Sequence, residues 1–177
     1  LPKARVSVDH FHLVKLANDM VTAVRRRVSW DRHDRRGRGG DLTWANRLLL
    51  MRGYDSLSER GRAKLKTVLH TDDPTNEISA AWAVKEQLRR LLACTNVADA
   101  QRARATFNRY VSIADMPETT RLRKTIDAWW PAIATFIRTR ATNAKTEAAN
   151  VTVKNIKRIS VNRPSGWRHA KGARVPA

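Results

Sequence analysis

The residues best suited to chemistry lie on one stripe near the end of the sequence. Read at about 100° per residue, Thr142 to Arg158 forms a helix with two unlike faces. Glu147, Asn150, Val151, Lys154 and Arg158 share one side, while Ala149, Val153 and Ile156 share the other. An acid stacked with two long cations suits a phosphate or a metal ion. The same stripe is equally the pattern of a solvated face with helix-supporting charge pairs. A second candidate is Asp9, which follows the β-branched run Val6-Ser7-Val8. It reads either as a carboxylate at a strand end, a usual place for an active-site acid in open α/β sheets, or as the cap of the next helix.

Phosphodiester chemistry on DNA needs an activated water or 3′-hydroxyl and a stabilised leaving alkoxide. Two metal ions held about 3.5–4 Å apart by acidic side chains supply both. Magnesium, the hard ion for that work, prefers carboxylate oxygen to imidazole or thiolate. Asp9 and Glu147 are of the right type. Lys154, two turns along the face from Glu147, is placed to grip a DNA phosphate. Asn150 between them can hold a phosphate oxygen or orient Glu147, and the helix start near Thr142 and Asn143 offers unpaired backbone donors. Nothing in the spacing itself pairs Asp9 with Glu147. His10 and His12 lie close to Asp9, but on a strand they would face away from it, so both are read as packing or supporting residues and not as metal ligands.

The composition narrows the partners. The sequence has 177 residues, enough for one domain with a real core or for part of a larger one. Its 35 Lys and Arg against 16 Asp and Glu leave a net charge of +19, which points to a polyanion and first of all to nucleic acid. An anionic membrane is the rival. However, there is no apolar run of about 18 residues, no signal segment, and no juxtamembrane clustering of the basic residues. Cytoplasm is the expected compartment, with no membrane partner. Cys94, the only cysteine, excludes an internal disulfide or paired zinc-finger cysteines within this sequence, and reads as a small packing residue.

The elements that must position these residues are nearly all helical. After the expected strand at Val6–Val8, Leu13, Leu16, Ala17, Met20, Val21, Val24 and Val28 mark a helix from about 12 to 29, with Arg25-Arg26-Arg27 at its negative end. Asp31 to Gly40 is rich in arginine and glycine and reads as a flexible basic loop. Asp41 can cap a helix presenting Trp44, Leu48 and Met51. Ser56-Leu57-Ser58-Glu59 fits a capping box opening the next helix, and Thr71-Asp72-Asp73-Pro74 reads as a turn in which Pro74 suits a first helical position. The stripe Ile78, Ala81, Trp82, Lys85, Leu88, Leu91, Leu92 is the strongest, with the Lys85 stem along the core and its head in water. Helices at about 97–114 and 118–140 follow; Met116-Pro117 separates them, and Pro131 should kink or split the second. Trp82 and Trp129 read as packing anchors rather than base-stacking platforms. The stretch from Ser160 to Ala177 lacks an apolar stripe and is expected to be a disordered basic tail.

Three segments carry a family resemblance. Asp9-His10-Phe11-His12-Leu13-Val14-Lys15-Leu16-Ala17-Asn18, continued by Arg25-Arg26-Arg27, resembles the second acidic motif of bacterial insertion-sequence transposases of the ISL-three family. Ala81-Trp82-Ala83-Val84-Lys85-Glu86-Gln87-Leu88-Arg89 resembles the middle of their insertion. Thr142-Asn143 with Glu147, Asn150, Lys154, Lys157 and Arg158 resembles their last motif. The likeness runs from about residue 5 to 158.

The resemblance implies a DDE transposase that cleaves and transfers DNA strands with magnesium. Asp9 and Glu147 would be the second and third acids and its metal ligands. Asn150, Lys154, Lys157, Arg158, Arg25, Arg26 and Arg27 would meet the DNA of transposon ends. A second copy, or an upstream transposase half, would assemble on that DNA. The expected architecture is mainly α: one short strand plus about seven helices, a truncated RNase H-like α/β core with a large helical insertion. Residues 1–30 would be partial core, 31–140 the insertion, 141–158 the core helix with the last acid, and 159–177 the tail. The sequence opens on Leu1, as a fragment would, and no acid precedes Asp9, so the family's first carboxylate is unmatched and no activity is expected of these residues alone. Ala144 and Ala148 stand where the family usually has glycine, and Gly166-Trp167-Arg168 only echoes its ending. The competing expectation, from another class, is a basic helical DNA-binding module without chemistry.

Overall fold

Hydrophobic stripes at helical spacing dictate the architecture. The computed structural model describes residues 8–140. Among them the chain forms eight α-helices: α1 (His10–His33), α2 (Leu42–Ala45), α3 (Arg47–Met51), α4 (Glu59–Thr71), α5 (Glu77–Ala93), α6 (Val97–Ala114), α7 (Pro117–Ala128) and α8 (Trp130–Thr139). A 3-10 turn at Tyr54–Ser56 joins α3 to α4. The protein is mainly α, as expected. Of the expected strand only Val8 is described, and it lies in no strand; the helix expected from Thr142 and the expected basic tail fall outside the described residues.

α5 is the central element, packed most extensively against α6 and α1. Its Ile78, Ala81, Val84, Leu88 and Leu91 are fully buried, and α1 answers with Leu13, Ala17, Val21 and Val24. Each such Val, Leu or Ile contributes about 1.5–3 kcal/mol by leaving water. α7 lies on α1 and α6, and α8 closes on α5, α6 and α7, while α2 and α3 support α4 at the side. α1 therefore shares its core with the helices expected to form the insertion.

Helix ends follow local chemistry, not always at the expected residue. Ser58, and not Ser56, caps α4 by accepting from Gly61 N at 3.2 Å. Pro74 lies in a turn, as expected, but not at the first helical position: α5 begins at Glu77, and buried Asp73 accepts from Ile78 N and Ser79 N across the turn. The 118–140 helix is split, with Trp129 as the joint and Pro131 in the first turn of α8. Trp129 is consequently 41 % exposed and not an anchor; its neighbour Trp130 packs against the core instead. The segment expected around 41–51 likewise breaks at Asn46, which throws Leu48 out of phase with Trp44 and leaves it 72 % exposed while Leu50 is buried. Residues 31–40 are not a loose loop. α1 runs on to His33, Ser29 Oγ donates to the Arg35 carbonyl, and Arg35 forms a two-pronged pair with Asp41. Gly37 adopts φ +95°, where a side chain would also strike Trp44.

Lys85 departs furthest from expectation. Its side chain is fully buried, because the end of α3 lies across its head. Nζ donates to the Leu50 carbonyl at 2.9 Å and the Arg52 carbonyl at 2.6 Å, and faces Glu86 Oε1 at 2.9 Å. The ammonium thus satisfies carbonyls that the short α3 leaves unpaired. Burial pulls its pKa below the usual lysine value, with Glu86 opposing that shift. Lys85→Met, similar in length but without donors, should lower stability by about 2–4 kcal/mol, read as a lower urea midpoint at constant m-value. An unchanged midpoint would mean that water satisfies those carbonyls.

Candidate active site

Asp9 is held by the start of α1. Its backbone is extended (φ −73°, ψ 119°), Oδ1 accepts from Phe11 N at 3.0 Å, and its carbonyl accepts from His12 N at 3.1 Å. This is N-capping, which satisfies backbone donors that the first helical turn leaves unpaired. Of the two readings left open by the sequence, the helix cap is the one observed among the described residues. The carboxylate is 13 % exposed, and no described residue donates to Oδ2.

His10 and His12 sit on a helix and not on a strand. His10 stacks on Phe136 of α8 with ring centroids 5.2 Å apart at 17°, and its Nδ1 lies 3.8 Å from Asp9 Oδ1. His12 is exposed. The ring stack ties the first turn of α1 to α8 and limits the directions in which Asp9 can point.

Asp9 supplies one oxygen ligand of the hardness that magnesium takes. No group of three His, Cys, Asp or Glu side chains among the described residues could hold a metal ion. Glu147, Asn150, Lys154, Lys157 and Arg158 all lie outside the described residues.

The three consecutive arginines have three different surroundings. Arg25 is only 4 % exposed, between α1 and its neighbours, and burial lowers its pKa, with Arg26 and Arg47 adding to the effect. Arg26 points to solvent. Arg27 is held by two carboxylates from other helices: Nη2 lies 2.8 Å from Glu77 Oε1 of α5, and Nε donates to Glu118 Oε1 of α7 at 2.9 Å. These bonds raise the Arg27 pKa further above its already high value. Sequence reasoning missed this clamp. Glu77 and Glu118 each stand in the first turn of a helix, where the dipole alone favours an acid, so nothing pointed to Arg27. Cys94 caps the end of α5, and burial pushes its thiol pKa up, as suits a packing residue.

Residues 1–161 match the family model described as transposase, of the DDE type. The protein is thus a transposase of the DDE class. It belongs to the ISL-three family. No curated protein and no solved structure matches it. The matched range takes in both Asp9 and Glu147. No helix among the described residues is long and apolar enough to cross a membrane.

The Arg27 clamp predicts a pH dependence. Hydrogen bonding to Arg27 holds the Glu77 pKa below its ordinary value of 4.5. An acid whose folded pKa is depressed stabilises the fold fully above the unfolded pKa and loses that contribution as pH falls through the folded one. Glu77→Gln should therefore cost about 1 kcal/mol at pH 7. The gap to wild type should narrow as pH falls below about 4.5. Denaturation midpoints of both proteins from pH 7 to 3 check this; a gap independent of pH would exclude the pair as its source.

Proposed function

We propose that the protein acts on the DNA of transposon ends, with Asp9 and Glu147 as the second and third acids of a metal-dependent phosphodiester centre. The observation that carries this reading is the family match across residues 1–161, which includes both acids. The capped start of α1 supports it, since a carboxylate fixed by its own helix needs little reorganisation to take a ligand. Asp9 and Glu147 would hold magnesium, which when bound neutralises charge developing on the phosphate. Lys154, Lys157, Arg158 and Asn150 contact the DNA backbone in this reading. Exposed Arg26 joins them, whereas Arg25 and Arg27 hold α1 in place.

The same reading makes residues 1–30 and 141–158 parts of an RNase H-like core, 31–140 its helical insertion, and 159–177 a basic tail. A copy of the chain or a complementary transposase half would meet it on DNA. Asp9 and Glu147 are two carboxylates of three, so strand transfer is not expected of these 177 residues by themselves.

A second reading, a helical DNA-binding module without chemistry, is favoured by one observation: capping α1 accounts for Asp9 on its own. Asparagine caps a helix as well as aspartate does, so Asp9→Asn separates the two. The measurement is Mn²⁺ binding to the chain in complex with duplex DNA. Asp9→Asn and Glu147→Gln should each weaken it tenfold or more, with thermal stability and DNA affinity within about twofold of wild type. Mn²⁺ binding indifferent to both changes would leave the non-catalytic module as the function.

A further inference from the structure

We infer that α4 is a DNA-docking helix, entering the major groove of a B-form duplex. The inference rests on the DNA partner proposed above and adds where on the helical body that partner sits.

The starting observation is how the chain disposes of its cations. Arg27, Arg32, Arg35, Arg89 and Arg104 each pair with a carboxylate on another turn or element. α4 differs. It carries Arg60, Arg62, Lys64 and Lys66 within seven residues, all exposed, and none of them forms an ion pair with a described carboxylate. Arg62 donates to the Tyr54 carbonyl at 3.2 Å and lies over its ring, which leaves its charge uncompensated. Glu59 is the one acid on the helix. Like charges this close repel one another by a few tenths of a kcal/mol per pair, an arrangement that a polyanion relieves.

The geometry selects the polyanion. Leu65 and Val68 bury the inner face of α4, which rests on α2 and α3. On the outer side Arg60 and Lys64 line one edge, and Arg62 and Lys66 line the other. Ala63, Thr67 and His70 lie between them. A helix with side chains is about 10–12 Å across, and the B-form major groove is about 12 Å wide. Cations on both edges therefore meet the phosphates of both walls. The A-form groove of double-stranded RNA is too narrow to admit such a helix. A membrane-surface helix needs bulky apolar residues on its outer face, where α4 presents alanine and threonine.

The test uses the whole chain and a duplex of arbitrary sequence about three helical turns long. Each neutralised phosphate contributes about −0.9 to the slope of log K against log salt. Replacing Arg60, Lys64 and Lys66 by Gln should reduce that slope by about 2–3. Replacing Arg109, Arg121 and Lys124, equally exposed on α6 and α7, should leave it within about 1 of wild type. Acetylation footprinting of wild-type protein needs no variant: duplex DNA should protect Lys64 and Lys66, and not Lys124. Equal slope losses in the two triple variants, no loss in either, or equal protection by anionic vesicles or double-stranded RNA would each overturn the inference. Wild-type protein that binds no duplex DNA at all would remove the DNA reading as well. Binding with an intact slope in the α4 variant removes α4 alone.

Discussion

Burial of α5 on more than one side is the constraint from which the rest of the structure follows. A helix covered by both α1 and α6 has little face left for charge, yet its sequence carries Glu77, Lys85 and Glu86. Each is accommodated by a partner from outside the helix. Glu77 receives Arg27 from α1, Lys85 donates to the Leu50 and Arg52 carbonyls at the end of α3, and Glu86, which also faces Lys85, accepts from Tyr54 N at 3.2 Å. Polar groups in a tight core are costly unless paired, and the pairing fixes neighbours that apolar contact alone would leave free to slide. α1, α3 and α7 are positioned through these bonds as much as through their leucines and valines.

The periodicity of the sequence made most of this fold legible, because a helical stripe is a local signal. The apolar faces of α1, α5, α6 and α7 stand where the spacing of Leu13 to Val28, Ile78 to Leu92, Phe107 to Val111 and Leu122 to Ile126 put them. Proline was equally informative: Pro131 divides α7 from α8 because it cannot donate within a continuing helix. Signals failed where the outcome depends on a distant residue. Lys85 reads as an amphipathic lysine until α3 is known to cross it, and Trp129 reads as an anchor until the break at Pro131 turns it outward. Caps were misplaced by two or three residues, since Ser56 and Ser58, or Asp73 and Pro74, offer competing starts that only the packed chain resolves.

The candidate site was read from a different kind of signal. Residue types pointed to phosphate and hard metal ions, but no local pattern relates Asp9 to Glu147; pairing them is a proposal drawn from the family resemblance, and the family match over residues 1–161 spans both positions. Arg25-Arg26-Arg27 illustrates the limit of reading a basic run as one unit. Three identical side chains at successive 100° steps necessarily face three directions, and here these are a buried flank, open solvent and a two-carboxylate clamp.

The capping role of Asp9 and its candidate catalytic role draw on different parts of one side chain. Capping engages Oδ1 through Phe11 N and fixes the rotamer. The stack of His10 on Phe136 then fixes the helix start against α8. A carboxylate on an unstructured loop would lose rotamer and backbone freedom on taking a ligand. One immobilised by its own helix has already lost it during folding, where the burial of α1 against α5 offsets the cost. Packing at the centre of the molecule, and not the acid itself, is what makes the head of α1 a firm platform for Asp9.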